Sequence, residues 1–152
     1  MIDYADLVDV GQLRRDHDDN GHAFIFEYAA EAKDFLCKKR WCKGIVNVFY
    51  GDGCEGIIAI FLVEIVPESA DVDKLLWVVV GDVPPAYLVT DVIERPLEAL
   101  KVYIEEMRAW VDAVKAGKAV ENIIPVNAPP TKEYADMLAV RLDFLRDNFL
   151  AE

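Results

Sequence analysis

The sequence predicts one α+β domain over residues 1–152, with an antiparallel meander of three to four strands packed against about three to four helices. Two patterns point there. Between residues 45 and 89, short β-branched runs are separated by tight turn stretches too brief for a crossover helix, so neighbouring strands pair antiparallel. After Pro96 the apolar spacing changes to 3-4-3-4-3, the repeat of a helix with one buried face. No internal repeat, low-complexity tract or linker divides the chain.

From the N-terminus, residues 2–15 read as a short helix with Tyr4, Leu7 and Val8 on one side, weakened by Gly11. The stretch DHDDNGHAFIFE then places Asp16, Asp18, Asn20, Gly21 and Glu27 at positions 1, 3, 5, 6 and 12 of a calcium loop. That site needs short oxygen donors, a sharp turn at glycine and a closing bidentate Glu. Ala23 and Phe24 depart from the pattern, and such loops work in pairs whereas this chain has one. A polar loop whose Asp19 or Asn20 caps the next helix is the simpler reading, with His17 and His22 solvated. The following helix spans residues 22–40. Ile25, Tyr28, Ala32, Phe35 and Leu36 form its apolar side, Glu27, Glu31, Lys33, Asp34 and Lys38 its other faces, and Lys38-Lys39-Arg40 its basic end.

Residues 45–50 and 57–66 form a hairpin around the turn 51–56, where three glycines supply positive φ. The GDGCEG string echoes a dinucleotide fingerprint, but a strand follows it where that motif needs a helix. Glu64 interrupts an otherwise apolar strand. Pro67 ends that strand three residues later, so Glu64 belongs near its solvent-exposed end rather than in a pocket. Residues 74–90, KLLWVVVGDVPPAYLVT, are the centre of the chain: a strand apolar on both faces, a break at Gly81-Asp82, then Pro84-Pro85, which push the pairing toward a sheet edge. A sheet with such strands needs cover on both faces, from helices or from a second subunit.

The helix after Pro96 carries Leu97, Leu100, Ile104, Met107, Val111 and Val114 on its inner stripe, flanked by Tyr103 and Trp110, and Gly117 ends it. Residues 118–130 are a proline-interrupted connection with Ile123, Ile124 and Val126 tucked inward. Thr131 caps a last helix reaching residue 149, with Tyr134, Leu138, Leu142, Leu145 and Phe149 inside. Met137 and Phe144 broaden its apolar stripe enough for a partner chain.

Composition narrows the function. A net charge of −12 argues against nucleic acid as a partner, because phosphate binding relies on clustered Lys and Arg. No apolar run approaches the ~18 residues of a membrane span, and the start MIDYADLVDV lacks the basic and small residues of a signal peptide, so the expected location is the cytoplasm. Cys37, Cys42 and Cys54 are an odd set for a disulfide framework. Their spacing, even with His22, is a poor zinc pattern, so reduced and partly buried thiols are expected.

The motif W-x-x-x-G-D-x-P-x-x-Y (Trp77 to Tyr87), followed by Pro96, Glu98-Ala99, Met107 and Trp110, resembles a bacterial protein family of unassigned function over residues 75–115. The resemblance implies a bacterial, cytosolic protein in which Gly81, Asp82 and Tyr87 act as a unit, and it supplies no catalytic residue.

The expected function is non-catalytic: a small acidic protein that binds a partner of basic character, in the way an immunity protein masks a toxin surface, and that forms a homodimer. No cofactor is expected. The alternative is a small-molecule-binding protein or enzyme with a site at the Gly81-Asp82 turn, formed by Asp82 and Tyr87 with Glu64 and Trp77. The chain carries no G-x-S-x-G elbow, P-loop or H-E-x-x-H. A third reading is calcium held by Asp16, Asp18, Asn20 and Glu27.

Overall fold

The structure, a computed structural model, describes residues 2–16, 23–121, 123–126 and 128–150. Its centre is a five-stranded antiparallel meander in the order β1 (Val8–Asp9), β2 (Cys42–Cys54), β3 (Ile58–Pro67), β4 (Leu75–Gly81), β5 (Ala86–Val89). The sheet exceeds the expected three to four strands by a two-residue edge at one side and the post-proline strand at the other.

Strand β3 decides the architecture, because its side chains are buried on both faces. Ile58, Ile60 and Leu62 join Trp77, Val79 and Leu88 under α3 (Pro96–Lys115) and α4 (Lys132–Leu145). Phe61, Val63 and Ile65 join Leu76, Val78 and Val80 under α1 (Val10–Asp16) and α2 (Ala23–Cys37). The result is a sheet between two helical layers. No helix among the described residues is long and apolar enough to cross a membrane.

Several local expectations change. The first helix begins only at Val10. Val10 and Leu13 are its buried residues, while Tyr4 and Val8 are exposed. Asp9, whose Oδ1 accepts from the Gln12 amide at 3.1 Å, caps the helix start. Helix α2 stops at Cys37, and a turn closed by Lys39 N–H to Leu36 O (3.0 Å) and Cys42 N–H to Lys39 O (3.2 Å) leads into β2. The glycine-rich stretch is mostly strand rather than turn. A Cβ at Gly51 would lie 2.6 Å from the Pro96 ring, and one at Gly53 2.4 Å from the Ile58 carbonyl, so these glycines serve close packing. Gly56 alone has the left-handed φ of the turn, +78°.

On α3, the Glu98 carboxylate accepts from the amides of Glu94 (2.9 Å) and Arg95 (3.2 Å), satisfying the helix start. Tyr103 and Trp110 are core residues of this helix, and Leu97 is exposed. Thr131 Oγ1 accepts from the Tyr134 amide at 3.3 Å, as a cap should. Helix α4 does not run regularly to residue 149; a wider π-type turn takes over at Arg146–Leu150. Tyr134 lies outside rather than inside, because the buried stripe passes through Ala135, Leu138, Leu142 and Leu145.

Candidate functional site

The clefts gather where β4 ends. Gly81 has φ +134°, and a Cβ there would sit 2.6 Å from the Ile57 carbonyl, so only glycine lets the strand turn against β3. The next amide, of Asp82, donates to that same carbonyl at 2.9 Å. Two residues on, the Pro84 carbonyl accepts from the buried Tyr103 hydroxyl at 2.6 Å. The turn is thus tied to the sheet at one end and to α3 at the other, leaving the Asp82 side chain 68 % exposed between them.

Asp82 pairs with Arg141 of α4, with Oδ2 3.3 Å from both Nε and Nη2. An exposed pair of this kind contributes little stability, but it fixes a polar ridge between two hollows. On one side lies a cavity of about 310 Å³ walled by Pro84, Trp110, Val126, Tyr134, Met137 and Leu138. On the other, a hollow of about 520 Å³ runs between the hairpin turn (Gly56, Ile57) and Val140, Phe144 and Leu145. A third, of about 560 Å³, separates the end of α2 (Glu31, Asp34, Phe35, Lys38, Lys39) from Val83, Pro85 and Pro125.

Two kinds of surface meet at this ridge. Along the outside of α4, Tyr134 (45 % exposed), Met137 (50 %), Val140 (69 %) and Phe144 (44 %) form an apolar stripe at helical spacing. On the α2 side, Tyr28 stands between Glu27 and Glu31 in the helix sequence. Burial is the main cause that holds this phenol above its ordinary value, and the charges of Glu31, Asp82 and Glu27 add to it. The Glu31 carboxyl is likewise raised, by desolvation first and by Glu27 second.

The four residues expected to form one site are dispersed. Asp82 borders the cavity, as its place in the turn suggested. Trp77 is fully buried under α3, its indole N–H donating to the Ile93 carbonyl at 3.0 Å. Tyr87 pairs with Val78 in the sheet, so it faces the opposite side from Trp77. It stacks edge-on with Trp41 at 5.0 Å and lies under the Lys39 ammonium at 5.9 Å. Glu64 is half-buried opposite Leu75, while Gly81 pairs with Ile58. Six residues of strand therefore place Glu64 roughly 20 Å from the Asp82 turn. Of the calcium set, Asp18 and Asn20 lie outside the described residues, as do Asp19, the other candidate cap, and Gly21, His17 and His22; Asp16 ends α1 and Glu27 stands in α2.

Arg141, Tyr28 and Glu31 are the participants that sequence reasoning did not single out. Their signal was faint: a basic residue on a helix face and an aromatic between two acids one turn apart. The comparisons with known proteins add no assignment, since no protein-family model, curated protein or solved structure matches this chain.

Proposed function

We propose that this chain is a non-catalytic, cytoplasmic interaction protein that docks a basic protein partner at the Gly81-Asp82 end of its sheet. The observation that carries the reading is the exposed stripe of Tyr134, Met137, Val140 and Phe144 on α4, beside the Asp82–Arg141 pair at the end of the sheet. The stripe offers apolar area to bury, and the carboxylates of a chain of net charge −12 attract and orient a cationic surface. Masking a basic toxin surface, as immunity proteins do, is one form of such a role.

Capture on the immobilised chain tests it. The wild type should retain a basic protein from its own cell. Met137→Ser/Phe144→Ser should lose that protein, and Glu27→Gln/Glu31→Gln/Asp82→Asn should retain much less. Equal retention by all three proteins would refute the reading. If the wild type instead has twice the chain mass in solution and the stripe variant does not, a second copy covers α4.

One feature favours a different occupant of the same place. The 310 Å³ cavity has the size of a small-ligand site, with Trp110, Met137 and Leu138 as apolar walls and Arg141 at its edge. A compound with an apolar body and a carboxylate would fit it. Native mass spectrometry of the freshly purified chain should then show a mass increment that Arg141→Ala removes.

A further inference from the structure

We infer that Trp41, Tyr87 and Asp73 form a binding site for a quaternary ammonium head group, in the hollow where β5 meets the loop before β4. The site lies on the α2 face of the sheet, opposite the α4 stripe, so it goes beyond partner docking and does not depend on it. The fold brings these side chains together from separate stretches. Tyr87 and Val89 alternate with Leu88 along β5, and Leu76 pairs with Val89, so Leu76, Tyr87 and Val89 share one face at the sheet edge. Trp41 is held beside them just after the turn that ends α2, its carbonyl accepting from the Glu68 amide at 2.8 Å. The Lys74 carbonyl accepts from the Ile65 amide at 2.8 Å, which fixes the start of β4 and with it the position of Asp73. Together with Val72, these residues enclose a cavity of about 190 Å³.

The lining selects one class of ligand. The Trp41 and Tyr87 rings stand 5.0 Å apart at 64°, an aromatic corner whose ring electrons attract a cation. Asp73 is exposed at the rim and makes no ion pair among the described residues, so its carboxylate is available to that charge. Val72, Leu76 and Val89 complete the walls with hydrocarbon. Such walls cannot replace the water around a primary ammonium, which is strongly hydrated, but they accept methyl groups. A trimethylammonium head meets all three features, with its methyls against hydrocarbon and its spread charge between the rings and Asp73. The cavity is smaller than the ~300 Å³ of a drug-sized site, so the head enters and the rest of the ligand stays outside. The Tyr87 ring already serves one cation, since the Lys39 ammonium stands 5.9 Å from its centroid and 4.6 Å from that of Phe35. Lys39 does not line the hollow, and its charge opposes a second cation at the same ring.

The test follows the indole N–H signals of the isotope-labelled full chain by nuclear magnetic resonance, titrated with choline and, separately, with its uncharged carbon isostere dimethylbutanol. Trp41 alone of the three tryptophans is partly exposed; Trp77 and Trp110 are buried. Choline should shift the Trp41 signal saturably, with a midpoint on the order of 1–10 mM for so small a cation–π site, and leave the other two in place. The isostere should move none of them. Tyr87→Phe, which keeps the ring, should bind within about threefold of wild type, whereas Tyr87→Leu should weaken binding about tenfold or more. Asp73→Asn should weaken it several-fold, most at low salt, and Lys39→Gln should tighten it. These two variants change charge without removing a ring, so they decide the matter even if Tyr87→Leu does not fold. A trimethyllysine peptide titrated in parallel identifies the source of the head group: tighter binding than choline assigns it to a modified protein side chain, weaker binding to a free small molecule. No saturable Trp41 shift with choline, or an equal shift with the isostere, would overturn the assignment. So would weaker binding by Lys39→Gln, which would mark an anion site.

Discussion

At Gly81 one residue decides whether the chain can turn at the site. Its φ of +134° is strained for any L side chain, and an added Cβ would stand 2.6 Å from a backbone carbonyl that cannot swing away. Gly81→Ala should therefore cost about 2–4 kcal/mol in urea unfolding. Gly56→Ala separates the two causes, because its φ is +78° but nothing lies within 4 Å of the new methyl. It should cost only about 1 kcal/mol. Equal losses would mean that backbone conformation, and not the clash, is the constraint. Tyr103 makes a similar point with a hydroxyl. Tyr103→Phe leaves the Pro84 carbonyl without its 2.6 Å donor and should cost about 1–3 kcal/mol. Two tyrosines also set an alkaline limit. Burial raises Tyr103 strongly above 10.0, and burial, then Asp52 and Cys54, raise Tyr50 to about 12. An unfolded chain ionises first as pH climbs past 10, so the stability these phenols contribute is whole below that value and falls above it. For Tyr50 the loss should extend to about pH 12, and Tyr50→Phe should flatten that part of a chemical-denaturation profile.

Among the elements, α4 carries two apolar faces with different purposes. Leu142 is fully buried, so Leu142→Ala should cost about 2–5 kcal/mol. Met137→Ser and Phe144→Ser remove exposed side chains and should each stay within about 0.5 kcal/mol of wild type by thermal melting. A large loss from either would turn the stripe into a structural feature. This helix also shows what could be read in advance. Its cap Thr131, the first-turn Pro96 of α3 and the terminal Gly117 are local signals, and each marks its boundary. Gly51 reads locally as a turn residue, but its reason is nonlocal: Pro96, 45 residues later, occupies the space of a Cβ, whereas Gly53 is required by the Ile58 carbonyl across the hairpin. The dispersal of the expected site has a similar origin. Trp77 pairs with Leu88 and Val78 with Tyr87, a register set by the four-residue bend between β4 and β5, and period-two alternation then sends the two rings to opposite faces. Asp82 was legible because a break between strands exposes whatever polar residue it carries. Arg141, 59 residues further on, required the packing of α4 against the sheet.

For the whole molecule, charge and apolar area are divided in a way that predicts separate kinetic roles. The chain carries −12, yet residues 132–150 of the α4 region hold three basic side chains against four acidic ones, nearly a balance. Several of those charges are tied to neighbours: Lys115 to Asp136 at 3.1 Å, Arg108 to Asp143, and Asp82 to Arg141. Long-range attraction of a cationic partner must therefore come from acids elsewhere, Glu27 and Glu31 of α2 among them. Short-range retention must come from Tyr134, Met137, Val140 and Phe144. With the partner captured by the wild type, stopped-flow association should slow several-fold between about 20 mM and 200 mM salt, as screening shortens the Debye length. Glu27→Gln/Glu31→Gln should lower the association rate and flatten that salt dependence while leaving dissociation unchanged. Met137→Ser/Phe144→Ser should do the reverse, raising dissociation about tenfold or more with association nearly intact. If both variants altered the same rate constant, the carboxylates and the stripe would be one contact surface, and the division into steering and anchoring would not hold.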